Sequence, residues 1–214
     1  MSENETPTSD ELARARASLR DTQREHARTL YGDHLTSYAE TPGFAGRLEE
    51  EVEACMGPVG EVFGAGLSGD LEEDAFWLAV DSMLFQAEKP KVSLAQRYLK
   101  FQRNLPDQAR ALLAEWVKGE SGMRFFEATQ SGGQTGSLVE LGTGRLYASV
   151  FPRYGRWDES GLRRGDYVAA RLLPVGDEWM PTTPLHPFPK EEHSDILAIT
   201  EELAAGPRAD AASD

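Results

Sequence analysis

Trp157-Asp-Glu-Ser-Gly-Leu-Arg-Arg-Gly-Asp-Tyr-Val-Ala-Ala-Arg-Leu-Leu-Pro-Val175 reads as a charged loop that runs into a strand. Gly165-Asp166 supplies the turn, because glycine accepts a left-handed backbone and an aspartate bonds nearby amides. Around it, from Met123 to about Thr183, apolar and polar residues alternate and the chain turns on glycine and proline. Alternation of this kind marks half-buried strands. Strands are expected over Arg124–Gln130, Ser137–Leu141, Leu146–Phe151, Tyr167–Val175 and Glu178–Thr182. Ser131–Gly136 and Gly142–Gly144 are short enough to be hairpin connections. Short strands must close or be covered to avoid bare edges, so a small SH3-like or OB-like barrel is the expected arrangement.

Before Gly119 the period changes. Thr8 and Glu11 have capping-box spacing, and Leu12, Ala15, Leu19, His26 and Leu30 follow on one helical face. That helix should end before Thr41-Pro42-Gly43, since the residue before a proline resists the α conformation. A second helix is expected from Phe44 to Met56, stopping at Gly57-Pro58, with Val59–Gly69 irregular. Asp70 is a candidate N-cap for an apolar, centrally buried helix through Ala75–Phe85. Ser93 and Gln96 make another capping box, with Leu94, Tyr98 and Phe101 on one face. Pro106 suits the first turn of a helix striped by Ala109, Leu112, Leu113, Trp116 and Val117, with Gly119 as C-cap. A last helix spans about Lys190–Ala205, with Ile196, Ile199 and Leu203 on one face.

The expected fold is therefore α+β. Residues 9–119 form a helical part packed on a small antiparallel barrel, 120–188, closed by a C-terminal helix, 189–206. Tails 1–8 and 207–214 are expected to be disordered.

Composition narrows the function classes. The chain has 214 residues, a formal net charge of −14 and one cysteine, Cys55. A negative field of that size repels nucleic acid and anionic membrane. Cys55 alone excludes an internal disulfide and a multi-cysteine zinc site. There is no apolar run of about 18 residues and no basic-then-apolar leader, so a cytoplasmic location is expected. His26, His34, His186 and His193 show no metal-binding spacing. No metal or cofactor is expected. The acidic runs Glu49–Glu53 and Asp70–Asp74 read as a solvated face and helix N-terminal charge, and a hydrolase with an acidic site ranks third. Ser131-Gly-Gly-Gln-Thr-Gly136 lacks the Gly-Lys-Ser/Thr ending of a phosphate loop.

Three stretches carry a family resemblance. They are Asp74-Ala-Phe-Trp-Leu-Ala-Val-Asp-Ser-Met-Leu-Phe85, Leu138-Val-Glu-Leu-Gly-Thr-Gly144 and Ser160-Gly-Leu-Arg-Arg-Gly-Asp-Tyr-Val-Ala-Ala-Arg-Leu-Leu-Pro174. The run from Asp74 to Phe188 resembles an uncharacterised bacterial domain that often precedes a SEC-C zinc motif, the cysteine-rich motif also found at the SecA C-terminus. The resemblance implies a shared fold and no established activity. The zinc motif itself has no ligands here, because Cys55 stands alone.

The candidate contact residues lie in and after the charged loop: Arg153, Tyr154, Arg156, Trp157, Arg163, Arg164 and Arg171. Two readings stand beside each other. In one, Asp166 closes a turn, Arg171 pairs across the sheet, and Tyr154 and Trp157 fold back onto a core. In the other, Arg163, Arg164 and Arg171 hold a carboxylate or phosphate, and the aromatics add stacking and cation–π contact. The leading functional expectation is a non-catalytic binding or adaptor module with a protein partner. The alternative is a weak nucleic-acid binder using the same loop, which the net charge disfavours.

Overall fold

A computed structural model describes residues 8–63, 71–86, 92–119, 122–130 and 133–205. The tails expected to be disordered, Asp70, and residues 64–69 of the expected irregular stretch lie outside these residues, except Thr8.

The first helix, α1, spans Ser9–Arg28 and starts at the expected capping box. The Glu11 carboxylate accepts from the Thr8 amide at 2.7 Å, and Thr8 Oγ1 accepts from the Glu11 amide at 3.3 Å. The helical run continues through a π-helical turn, Thr29–Leu35, into α2, Thr36–Ala39. The expected apolar stripe is only partly used. Leu12, Leu19 and His26 are exposed, and the first buried residue is Ala27. The opening turns of α1 stand clear of the body, so the core begins at its last turn. The π turn then buries Leu30, Tyr31 and Leu35.

Helix α3, Ala45–Phe63, runs through Gly57-Pro58 rather than stopping there. A proline removes one amide donor, but the rest of the helical ladder can continue around it. Helix α4, Leu71–Phe85, is the central one, with Ala75, Trp77, Ala79, Val80, Met83 and Leu84 buried. Helix α5, Leu94–Phe101, has the expected Ser93–Gln96 box, but Phe101 is exposed at its end. In α6, Asp107–Lys118, Pro106 is the N-cap, and Gly119 caps the end in an extended conformation.

The strands are β1 Arg124–Gln130, β2 Gly136–Glu140, β3 Leu146–Val150, β4 Tyr167–Ala170, β5 Leu172–Val175 and β6 Glu178–Pro181. The expected single strand Tyr167–Val175 is broken at Arg171. This break makes the barrel. The sheet order is β4-β1-β2-β3-β6-β5, so β4 and β5 lie at opposite ends of the order yet are joined through one residue. The sheet must curl for that to happen. Pairs are antiparallel except β3 with β6. The outer strands are covered. Phe188 N–H donates to the Tyr167 carbonyl at 2.8 Å beside β4, and Trp116 Nε1 donates to the Pro174 carbonyl at 2.8 Å beside β5. Covering the outer strands in this way blocks edge-to-edge pairing there.

Two cores result. Phe126, Ala128, Leu138, Val150, Trp157, Leu162, Val168, Ala170 and Leu172 fill the barrel. Phe151, Leu173, Val175 and Met180 face outward from the sheet and join the helical core around Tyr31, Trp77, Met83 and Trp116. Successive strand residues point to opposite faces, so β5 is buried on both. Helix α7, His193–Ala205, lies on the barrel with His193 stacked on Tyr167 at 4.0 Å and Ile196 buried, while Ile199 faces water. The structure is α+β with a small barrel, as expected.

Candidate functional site

The candidate contact residues separate into two groups. Strand parity sends Arg171 the same way as Leu173 and Val175, toward the helices. There it meets Asp81 of α4, with Nε 2.9 Å and 3.1 Å from the two carboxylate oxygens. Arg171 is 5% exposed and Asp81 1%. Arg171 therefore does not pair across the sheet, as one reading had it, nor is it open to an outside ligand, as the other required. Its guanidinium also lies 5.0 Å over the Phe85 ring. Burial pushes the Asp81 carboxyl above the usual carboxylate range, and Arg171 pulls it back.

Arg153 follows Phe151 on the same side of the chain and is 4% exposed. Its guanidinium sits 3.4 Å from the Trp77 ring centre, 4.7 Å from Tyr154 and 5.3 Å from Tyr31. Its Nη1 donates to the Thr182 carbonyl at 2.9 Å. Burial lowers its pKa, and the rings around it offset part of the desolvation. Burial likewise raises the Tyr31 hydroxyl. Arg153 is an internal strut between α4 and the barrel, not a surface contact.

Trp157 opens a 3₁₀ turn, Trp157–Glu159, and is wholly buried inside the barrel. A Cβ on Gly136 would overlap its indole, so that glycine is fixed by close approach. The loop aromatic folds back onto the core, and a stacking platform built on it is ruled out.

The second group lies at one end of the barrel. Gly165 N–H donates to the Ala128 carbonyl at 2.7 Å, and Asp158 N–H reaches the Gly133 carbonyl at 3.4 Å. These bonds hold the loop against the β1–β2 hairpin. Asp166 accepts from the Arg163 amide at 2.7 Å, closing the turn as the plainer reading had it, with Gly165 at φ 88°. Arg163 and Arg164 project from this turn and are exposed. Among the described residues, neither side chain has an ion pair. Arg156 is exposed and held by Asp158 through two bonds of 3.0 Å. Tyr154 is 62% exposed, with one face over Arg153.

Two arginines from α1 join this end of the molecule without any local sequence signal. Arg24 clasps Glu178 at 2.6 Å through Nε and Nη2 and reaches Gln134 at 3.0 Å. The Glu178 hydrogen bonds raise its pKa. Arg28 donates to the Pro152 carbonyl at 3.0 Å, and both stack over Phe151. With Arg156, Gly155, Gln134, Asp21 and Glu25 they line a cleft of about 270 Å³. Period and spacing place α1 as a helix but cannot say that it crosses the barrel.

The acidic runs do not converge. Glu49, Glu50, Glu53, Glu72 and Glu73 are exposed, while Asp74 turns inward to His186 at 2.9 Å. Among the described residues, no three His, Cys, Asp or Glu side chains form a metal-sized cluster. Burial raises the Cys55 thiol, away from a reactive thiolate. Compared with protein-family models, with curated proteins and with solved structures, the chain matches none.

Proposed function

We propose that the protein is a non-catalytic binding module, and that its contact surface is the loop end of the barrel. Tyr154, Arg156, Arg163 and Arg164 would meet a protein partner that presents carboxylates. The observation that carries this reading is the exposure of Arg163 and Arg164 with no ion pair among the described residues, on a chain whose formal net charge is −14. A guanidinium fork that is exposed and unspent favours planar anions such as carboxylates. The resemblance to the domain that precedes SEC-C motifs supports the reading only through its implied fold. A cytoplasmic location belongs to the same proposal. No described helix is long and apolar enough to cross a membrane.

Nucleic-acid binding through the same loop loses support once Trp157 is buried, because of the two aromatics only Tyr154 is left to stack a base and the net charge opposes the strand. The test is affinity capture from the native source, with the wild type beside Arg163→Glu/Arg164→Glu. The expected result is a partner that the double variant no longer retains, and no retention of labelled single-stranded oligonucleotide at physiological salt. A partner held equally by both proteins, or oligonucleotide bound through the two arginines, would sink the proposal.

A further inference from the structure

The barrel is open along part of one seam. β3 pairs with β2 through Leu138↔Tyr147 and Val139↔Leu146. It meets β6 at a single residue pair, Val150↔Trp179, where Phe151 N–H donates to the Trp179 carbonyl at 3.0 Å. The two strands run parallel and β6 begins at Glu178, so Leu146–Ala148 extend past the start of β6. Ser149 makes the parting. It has φ 57°, the only positive φ at a non-glycine residue among the described ones, and the β2–β3 register shifts opposite it. A bulge of this kind bends its strand away from a neighbour. Strain at such a position points toward use rather than packing.

The backbone edge of Leu146–Ala148 that faces away from β2 has no strand partner among the described residues. Open edges in stable proteins carry lysine or proline or are covered. This one reads Leu-Tyr-Ala, with Leu146 60% exposed and Ala148 exposed. An exposed cation, Arg145, stands beside it. The Arg145 guanidinium lies 4.8 Å over Tyr147 and 5.5 Å over Trp179, whose rings meet at 4.9 Å across the gap. Glu140 is taken by Arg124 at 3.9 Å and by the Tyr147 hydroxyl at 3.3 Å. Arg145 has no carboxylate partner among the described residues.

We propose that the Leu146–Ala148 edge accepts an extended segment of a partner protein as an added strand. An acidic side chain of that segment would sit against Arg145 and an aliphatic one beside Leu146. Main-chain hydrogen bonds supply the affinity in this mode, and side chains at alternate positions supply the choice. The surface is separate from Arg163 and Arg164, so the inference does not depend on the barrel-end contact.

The test pans the intact protein against a displayed library of random peptides and follows the strongest binder by hydrogen exchange. Enriched peptides should alternate aliphatic and polar residues and carry Asp or Glu. The binder should slow amide exchange over residues 146–149 by about tenfold or more. Leu146→Asp should lose the binder, and Arg145→Glu should shift enrichment from acidic to basic peptides while the circular-dichroism spectrum stays that of the folded protein. Arg163→Glu/Arg164→Glu should keep the binder, which separates this edge from the barrel-end surface. The proposal is overturned if no peptide is enriched, if peptides protect residues 163–165 instead, or if the acidic preference survives in Arg145→Glu. It is equally overturned if a second copy of the chain protects residues 146–148 without any peptide.

Discussion

Arg163 and Arg171 come from one continuous stretch and carry the same group, yet they live in different solvents. Arg163 sits on a turn held by Asp166 and faces water. Arg171 sits at the break between β4 and β5 and is locked to Asp81 between barrel and helices. The same contrast divides Tyr154 from Trp157, one mostly exposed and the other wholly buried. Local composition does not separate these residues. What separates them is strand parity and the identity of whatever packs on the outward face. The seam between helices and barrel is where the charged residues hold the fold together. At the barrel end Arg163 and Arg164 stay in water, where the proposed partner would meet them.

The contrast is broken most severely at the seam. Asp81→Ala strands the Arg171 charge in the core and should destabilise the protein by about 3–5 kcal/mol, read by denaturant unfolding. Replacing both partners together, Asp81→Leu with Arg171→Met, should recover most of that loss, because matched apolar groups need no desolvation. If the double variant is as unstable as the single one, Arg171 holds the seam by something other than its partner.

A smaller effect is expected inside the barrel. Gly136→Ala would push a methyl into the Trp157 indole, for a loss of about 1–3 kcal/mol. A neutral result would mean that Trp157 is not seated as described.

Smaller again is the start of α1, which no core residue supports. Thr8→Ala should fray the first turn, visible as lost helical chemical shifts over Ser9–Leu12, with little change in the global melt. Hydrogen bonds from the Thr8 amide and hydroxyl hold the Glu11 carboxyl below its usual range. A depressed carboxylate stabilises above its unfolded pKa and loses that contribution as pH falls through the folded value. The same shifts should therefore fade on acidification, and persistence at low pH would contradict the capping role.

At the barrel end, Arg163→Glu/Arg164→Glu should move stability by less than about 0.5 kcal/mol, since neither exposed side chain has an ion pair among the described residues. A large change in melting midpoint would place these arginines with the seam.

Much of the architecture was legible because it is locally encoded. The Thr8–Glu11 and Ser93–Gln96 boxes, the apolar α4 and every strand position except the break between β4 and β5 follow from spacing and period. Other features depend on partners far along the chain. Arg171 finds Asp81 ninety positions away, a separation over which period and motif say nothing. Parity did hold the clue: once Leu173 and Val175 are known to face the helices, Arg171 must as well. The break at Arg171 carries no local signal, because Tyr167–Val175 is uniformly strand-like and only barrel closure demands a corner there. The stripe of Leu12 and Leu19 shares one face of α1 yet is exposed. Helical period shows which residues share a face, not whether anything covers it. At the site, the loop arginines stand out in the sequence but nothing local tells exposed Arg163 and Arg164 from buried Arg153 and Arg171, and Arg24 and Arg28 reach it only because α1 crosses the barrel.

Arginine-selective modification with phenylglyoxal, followed by mass spectrometry of the native protein, tests the division most directly. Arg163 and Arg164 should react at the rate of an exposed guanidinium, and Arg153 and Arg171 only after unfolding. Native-state modification of Arg153 and Arg171 as fast as that of Arg163 and Arg164 would contradict the account.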